Sequence, residues 1–460
     1  TNLLLAGGLV LAAFAALRRV IPDPAAAAGA LLFAVHPVHV EAIAWVSGRS
    51  ELLAALLACV SFALGVDAAR QGGAARFVAA AAALFLGLLA KENAAVAAPL
   101  VAGALWLGPE RTAPRRRAIG VVAALCGAAL GALALRAAVL GTLGPTAGER
   151  VGAASLAGRL PLVVAATGEH LRLLLWPHPL SIERMPVPPT AWKDDAVIGG
   201  ALVLGAWAVA LVACRRRSDL FFLLGWPVVA LLPVQHWIPI GETVAERFLL
   251  LPSVGVCGAL GTLVVSLAMS PRARTATLAV LVAAGAVAST ARAVVWRDEE
   301  ALWRDALRHA PESVVPWAAL GDAQRRRGDL PAAASSYRQA LAIRPDLTVA
   351  RLSLADALDA AGRQDDAFAE SREAVRRDPE HPVALNNFGA RLARAGRVEE
   401  ARKFFRRAVE NAPGYAPALR NAALAALDEG DPDEARRLLA RARAADPELP
   451  GLDAIAARLP

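Results

Sequence analysis

Cysteine is scarce, and its placement is uninformative for chemistry. Cys59, Cys126, Cys214 and Cys257 lie in or at the edge of apolar segments and show no metal-ligand spacing, so they read as small hydrophobes that say little about redox compartment. Basic residues are missing ahead of the first apolar run. Arg18 and Arg19 follow it instead, which favours a true span with its N-terminus outside over a signal peptide. The chain starts at Thr1 and is apolar by Leu3, so a further N-terminal piece is expected. Charge is sparse through residue 295 and dense after 297. A composition 56% hydrophobic with mean hydropathy +0.45 is too apolar for a soluble protein of 460 residues. Two regions in two solvents follow.

The net charge of +8 does not indicate nucleic acid, because the arginines of the first region cluster in short loops where they report orientation. Apolar stretches occur at roughly 2–17, 22–37, 50–66, 75–90, 94–108, 118–138, 196–213, 219–235, 248–268 and 275–294, about ten spans. Alternate loops hold Arg18 and Arg19, Arg70 and Arg76, Arg111 with Arg115 to Arg117, Arg215 to Arg217, and Arg272 with Arg274. By the positive-inside rule those loops are cytoplasmic, and an even span count puts Thr1 and the charged C-terminal region outside. The segment 139–195 is read as external, its apolar part at roughly 160–176 as a helix in or near the interface, interrupted by Glu169, His170 and Arg172.

The opposite loops should be poor in cations, yet Arg49, Lys91, Arg136 and Arg247 sit there or at span ends. His36, His39, Glu41 and Glu51 surround the first, Glu92 adjoins Lys91, and His236, Glu242 and Glu246 precede Arg247. Taken singly, each reads as well as a snorkelling side chain or an ion pair tying helix ends. As a set on one face, they point to a site for an anionic, lipid-borne group, since charge at membrane depth is costly and a bound phosphate is a reason to keep it. His36 and His39, three apart with no third ligand, are weak evidence for metal.

The C-terminal region repeats. Prolines at 311, 345, 379, 413 and 447 and glycines at 328, 362, 396 and 430 each keep a period of 34. Glycine at an inner turn and proline after a second helix mark the tetratricopeptide (TPR) unit. Trp317, Leu320 and Gly321 belong on the first helix of one repeat with Ala333, Tyr337 and Ala340 on its second; Leu385, Phe388 and Gly389 pair likewise with Ala401, Phe405 and Ala408. Four repeats are expected over about 314–449, with a half-repeat at 301–311 and a closing helix at 450–459. Asn387 and Asn421 hold equivalent first-helix positions, where an amide can bond a peptide backbone or simply face solvent. The fold class is all-α: a polytopic membrane bundle over 1–295 followed by a TPR solenoid over 296–460.

Apolar spans followed by such repeats resemble the transmembrane and TPR repeat-containing protein O-mannosyltransferase family, whose membrane half is of the GT-C glycosyltransferase class. The likeness is carried by LLFAVHPVHVEAIAWVSGRSELLAALL (31–57), LLAKENAAV (88–96), RLPLVVAATGEHLRLLLWPHPLSIE (159–183), AERFLLLPSVGVCG (245–258) and WRDEEALWRDALRHAP (296–311). The resemblance implies transfer of mannose or a related sugar from a polyprenyl-phosphate carrier to Ser or Thr of exported proteins. The Ala- and Arg-heavy usage is compatible with a bacterium, so the expected place is a bacterial inner membrane with the repeats in the periplasm, or the endoplasmic reticulum with the repeats facing the lumen in a eukaryote. The family's acidic catalytic motif lies in a first external loop ahead of the segment matched by residues 1–14, so it falls outside this chain. Inverting transfer needs a base for the acceptor hydroxyl and cations for the departing phosphate. Glu41 and Glu51 are the candidate bases here; Arg49, Lys91, Arg136 and Arg247 the candidate phosphate ligands; His36, His39, Glu92 and Glu246 accessory groups. The polyprenyl-phosphate-linked sugar is the expected donor substrate, and a divalent metal stays open as a cofactor.

Two other classes compete. A membrane-anchored scaffold, catalytically inactive, would recruit exported proteins through its repeats and would not need external cations. A transporter would show midplane charges and broken spans repeated in two halves. The short link from Val295 to the half-repeat is not a flexible tether, so the repeats are expected over the outer face with their groove near the cations.

Overall fold

The computed structural model describes residues 1–108, 113–141, 155–185, 188–237 and 242–460; Arg111 and parts of the expected external segment, 142–154 and 186–187, lie outside the described residues. Every element is helical among the described residues, and the chain divides into two compact units, Thr1–Ala310 and Pro311–Pro460.

The first unit contains α1 (Asn2–Leu17), α2 (Asp23–Ala34), α3 (Val40–Ala44), α4 (Arg49–Gln71), α5 (Ala74–Ala90), α6 (Ala97–Trp106) and α7 (Arg115–Leu140). It continues with α8 (Leu156–Leu175), α9 (Asp195–Cys214), α10 (Ser218–Leu231), α11 (Leu250–Ser266), α12 (Pro271–Val295) and α13 (Glu299–His309). Among the described residues five helices are long and apolar enough to cross a membrane: Val46–Gln71, Arg115–Val139, Asp195–Cys214, Glu246–Ser266 and Pro271–Val295. The bent pair Asp23–Ala34 and Pro37–Ala44 makes a sixth if counted as one broken span. Three shorter apolar helices, Asn2–Leu17, Ala74–Ala90 and Ser218–Val234, accompany them. Only 6% of the apolar window of α12 is covered by protein. A helix apolar on all sides and so little covered is stable only against lipid. The protein is a membrane protein.

Small residues let these helices meet. A β-carbon on Gly168 of α8 would stand 2.2 Å from the α-carbon of Gly200 on α9, and one on Gly261 of α11 would stand 2.5 Å from the backbone nitrogen of Gly29 on α2. In lipid, association rests on such packing because apolar surface alone supplies little drive. Within α8, Ala165, Ala166, Leu171 and Leu173 are buried against other helices.

Two sequence features shape the rim between α2 and α4. Pro37 forces His36 into an extended conformation (φ −73°, ψ 124°), which ends α2 and bends the chain by 53° into α3. At Gly48 a β-carbon would lie 2.1 Å from the Ala42 carbonyl oxygen, so only glycine permits the tight reversal that starts α4. The bend sets Glu41 on a short buried helix, and the reversal returns Glu51 beside it.

The second unit stacks four helix pairs: α14 (Val314–Arg326) with α15 (Leu330–Ile343), α16 (Thr348–Ala360) with α17 (Gln364–Arg377), α18 (Pro382–Arg394) with α19 (Val398–Asn411), and α20 (Ala416–Asp428) with α21 (Pro432–Ala445). A last turn, α22 (Leu452–Ala456), lays Leu452 and Ile455 against Leu419 and Leu438. Gly328, Gly362, Gly396 and Gly430 take φ of 83°, 79°, 77° and 81°, closing each first helix with an amide bonded to the carbonyl five residues back, as in Asp329 N to Gln324 O at 3.0 Å. Large and small residues complement each other within pairs: Tyr337 fills the space over Gly321, and Phe405 that over Gly389. In the second pair the position of those aromatics is Ser371, and the buried Arg391 reaches it from α18, its Nε 2.7 Å from Ser371 Oγ. The α13 helix belongs to the first compact unit.

Candidate functional site

Glu41, Glu51, Lys91 and Arg247 come together. The side chain of Glu41 is 2% exposed and ion-paired through Oε1 with Arg247 Nη1, while its Oε2 accepts from the Arg247 backbone amide at 3.3 Å. Glu51, 4% exposed, pairs with Lys91 Nζ, accepts from Asn93 Nδ2 at 3.0 Å and lies 3.9 Å from Arg247 Nε. Arg247 Nη2 pairs with Glu242. Its guanidinium carbon sits 4.9 Å from the Trp45 ring centre and 5.1 Å from that of Phe248, and Lys91 Nζ is 5.9 Å from Phe248. Arginine suits this place because its planar fork binds carboxylates in directed pairs and stacks on aromatic faces. Glu51, Asn93, Arg247, Phe248 and Leu251 line a small crevice, whose wall does not include Glu41.

The local sequence explains the assembly. Lys91 follows α5 in extended conformation (φ −164°, ψ 146°), so the KEN turn swings Lys91 and Asn93 together toward Glu51 and leaves Glu92 exposed. The helical turn Glu246–Leu249 places Arg247 and Phe248 on one side and Glu246 on the other.

Glu246 enters a second network. It is fully buried, with Arg184 Nη2 at 3.6 Å and Arg292 Nη2 at 3.5 Å. Arg292 also donates to Asp305 Oδ2 at 2.8 Å, and Arg184 bonds Glu169, itself clamped by Arg172 at 2.7 and 2.8 Å. Burial pulls the Arg184 guanidinium below its ordinary range, and the facing Glu246 and Glu169 push it back up. Sequence reasoning missed Arg184 and Arg292. Their signal was an arginine inside the Pro-rich segment and another in the last turn of an apolar helix.

The histidines part from the ion pairs. His39 Nε2 lies 2.8 Å from Ser253 Oγ, and His36 Nε2 lies 3.1 Å from the Leu174 carbonyl. Each ring nitrogen so engaged faces a protein hydrogen-bond partner. Among the described residues no group of three or more His, Cys, Asp or Glu side chains could hold a metal. His236 bonds the Thr243 carbonyl at 2.8 Å, and burial keeps it below its ordinary range despite that acceptor.

Arg49, Arg136 and Glu92 are exposed, and the structure does not bring them into the ion-pair network. Arg49 opens α4 one turn from Trp45, while Arg136 lies near the end of α7.

In the repeats, Asn387 and Asn421 join one chain of amides. Asn421 Nδ2 donates to Asn386 Oδ1 at 2.8 Å, Asn386 Nδ2 donates to Asn387 Oδ1 at 3.2 Å, and Arg420 Nε donates to Asn421 Oδ1 at 3.2 Å. Adjacent repeats are thereby linked along their first helices. A cationic neighbour, Arg391, bridges Asp356 and Asp359 of the preceding repeat.

Comparison with known proteins bears on both units. The tetratricopeptide repeat family matches residues 317–351 and 392–459. The repeat unit is also similar to the solved TPR protein YrrB, described as having an unusual peptide-binding site (22% identity, 40% of this chain, 90% of that one, TM-score 0.29). TTC0263 of Thermus thermophilus, a thermophilic TPR protein, is another (20%, 39% and 94%, TM-score 0.31). Among curated proteins, the chain is 29% identical over 356 residues to protein O-mannosyl-transferase TMTC4 of Mus musculus, covering 67% of this chain and 48% of that protein. The Homo sapiens protein of the same name is 28% identical over the same shares. The chain thus spans about half the length of the curated relatives it matches, and its likeness to them is weak.

Proposed function

We propose that the protein is a membrane glycosyltransferase of GT-C type that moves mannose or a related sugar from a polyprenyl-phosphate carrier to Ser or Thr of exported proteins, with its repeats holding the acceptor. The single observation that supports this most is the ring of Glu41, Arg247, Glu51 and Lys91, built from four separate segments beside a crevice. The likeness to O-mannosyl-transferases points the same way.

In such a transfer the acceptor oxygen attacks the anomeric carbon, and the bond from that carbon to the phosphate oxygen breaks with its electron pair going to phosphate. The hydroxyl proton passes to a carboxylate. Of the two candidate bases, Glu51 lines the crevice while Glu41 holds the Arg247 fork in place. Arg247, Lys91, Arg49 and Arg136 are the proposed cations for the phosphate, which leaves readily once its charge is met and needs no strong acid. His36, His39, Glu92 and Glu246 stay proposed as accessory groups, the first two for sugar hydroxyls. Asn387 and Asn421 are proposed to bond the acceptor backbone, and the repeats to lie on the non-cytoplasmic side.

The test uses the full-length protein in membranes with polyprenyl-phosphate-mannose and a Ser/Thr-containing acceptor. Glu41→Gln and Arg49→Ala should each lower transfer by at least about tenfold while expression and folding persist, as when a positioned carboxylate or an oriented cation is lost. Wild-type transfer by both variants would return these residues to a structural role. Absence of transfer from the wild type would favour the membrane-anchored scaffold.

A further inference from the structure

Around Arg247 the charges do not balance. Three carboxylates, Glu41, Glu51 and Glu242, face two cations, Arg247 and Lys91. Counted with all three carboxylates ionised, the group carries one excess negative charge, which opposes the anionic ligand proposed for it, and a carboxylate that moves away would relieve that opposition. Exposure singles out which one. The side chains of Glu41 and Glu51 are 2% and 4% exposed, and moving either would strand a charge in the interior, a step that costs several kcal/mol. The side chain of Glu242 is 47% exposed, and exposed pairs hold one another by little.

Geometry agrees with exposure. Arg247 turns Nη1 and its backbone amide to Glu41 and Nε toward Glu51, and its guanidinium packs over Trp45 and Phe248. Those contacts keep it in place without Glu242. The remaining nitrogen, Nη2, is the one Glu242 covers.

We infer that Glu242 is the exchangeable counter-ion of Arg247: its carboxylate occupies Nη2 in the empty site and yields that nitrogen to the phosphate of an incoming phosphate ester. This rests on the reading of Arg247 as a phosphate ligand and adds to it a built-in competitor. The protein binds its donor less tightly than the cations alone would allow, and Arg247 itself is not left open to collect other anions.

Binding of farnesyl phosphate, inorganic phosphate and farnesol to the full chain in detergent, measured by calorimetry, tests the exchange. Glu242→Gln should tighten farnesyl phosphate about three- to fivefold, the worth of losing one exposed competing ion pair, and leave farnesol unchanged. A parallel gain for inorganic phosphate, with farnesyl phosphate no tighter than it, assigns the exchange to free phosphate; a gain on the lipid alone assigns it to a headgroup. Arg247→Lys keeps a cation beside Glu41 and removes Nη2, so it should weaken phosphate binding and erase the gain from Glu242→Gln. If Arg247→Lys weakens binding but Glu242→Gln does not tighten it, the exchange is wrong and the phosphate reading of Arg247 stands. Equal binding by wild type and all variants would overturn both.

Discussion

Arg292 and Asp305 lie thirteen residues apart and meet at 2.8 Å, Nη1 to Oδ2, in the protein interior. The pair joins the last turn of α12 to α13, and through its other terminal nitrogen Arg292 also faces Glu246, the neighbour of Arg247. The rim that carries the candidate site is therefore tied to the helix that leaves the membrane segment.

Arg292→Ala leaves Asp305 to the exposed Arg308 at 3.3 Å and Glu246 to Arg184 at 3.6 Å, each with one cation fewer. Loss of one partner of a buried pair costs about 3–5 kcal/mol, so the thermal midpoint of the purified protein should fall sharply. Asp305→Asn keeps an acceptor for Arg292 and should cost less. An unchanged midpoint for Arg292→Ala would show that the network is not structural.

Packing inside the repeats offers a cleaner measurement. A β-carbon on Gly321 would stand 2.7 Å from the Tyr337 ring, so Gly321→Ala should destabilise residues 311–460 by about 1–3 kcal/mol in chemical denaturation. Shortening the ring in the double variant Gly321→Ala with Tyr337→Leu should recover part of that loss. Additive losses would mean the two positions do not share one space.

Orientation is testable apart from activity. A tag after Pro460 should be reached from the non-cytoplasmic side, and one inserted among Arg115 to Arg117 only from the cytoplasm. Cytoplasmic labelling of the C-terminus would overturn the span count and with it the proposed side of the site.

Removing residues 314–460 should impair transfer to a protein acceptor much more than to a short peptide, because the repeats are proposed to supply acceptor binding and not the chemical step. Equal loss on both acceptors would assign the array a structural role. Full retention on the protein would mean that it serves another partner.

Much of this architecture is written in local patterns. A helix end needs glycine at positive φ wherever it falls, so the 34-residue spacing of Gly328, Gly362, Gly396 and Gly430 announces four turns without reference to any distant residue. Long apolar runs and short arginine loops likewise identify membrane helices, because lipid is a solvent that each segment meets alone. Even the bend at Pro37 is local, since proline constrains only its own turn and the residue before it.

Pairing is not local. Glu41 and Arg247 stand 206 residues apart, and sequence placed them on one membrane face without indicating that they touch. Nor did it separate Arg49, Arg136 and Glu92 from the network, because an exposed cation and a buried one have the same letter and differ only in what packs over them. The amides of Asn387 and Asn421 were legible as equivalent positions, but that Asn386 stands between them as a link depends on how one repeat is stacked on the next. Periodicity and solvent preference are properties of a segment, and the sequence by itself determined those. Which carboxylate faces which cation is set by side chains from several helices filling one volume, so only the tertiary structure decided it.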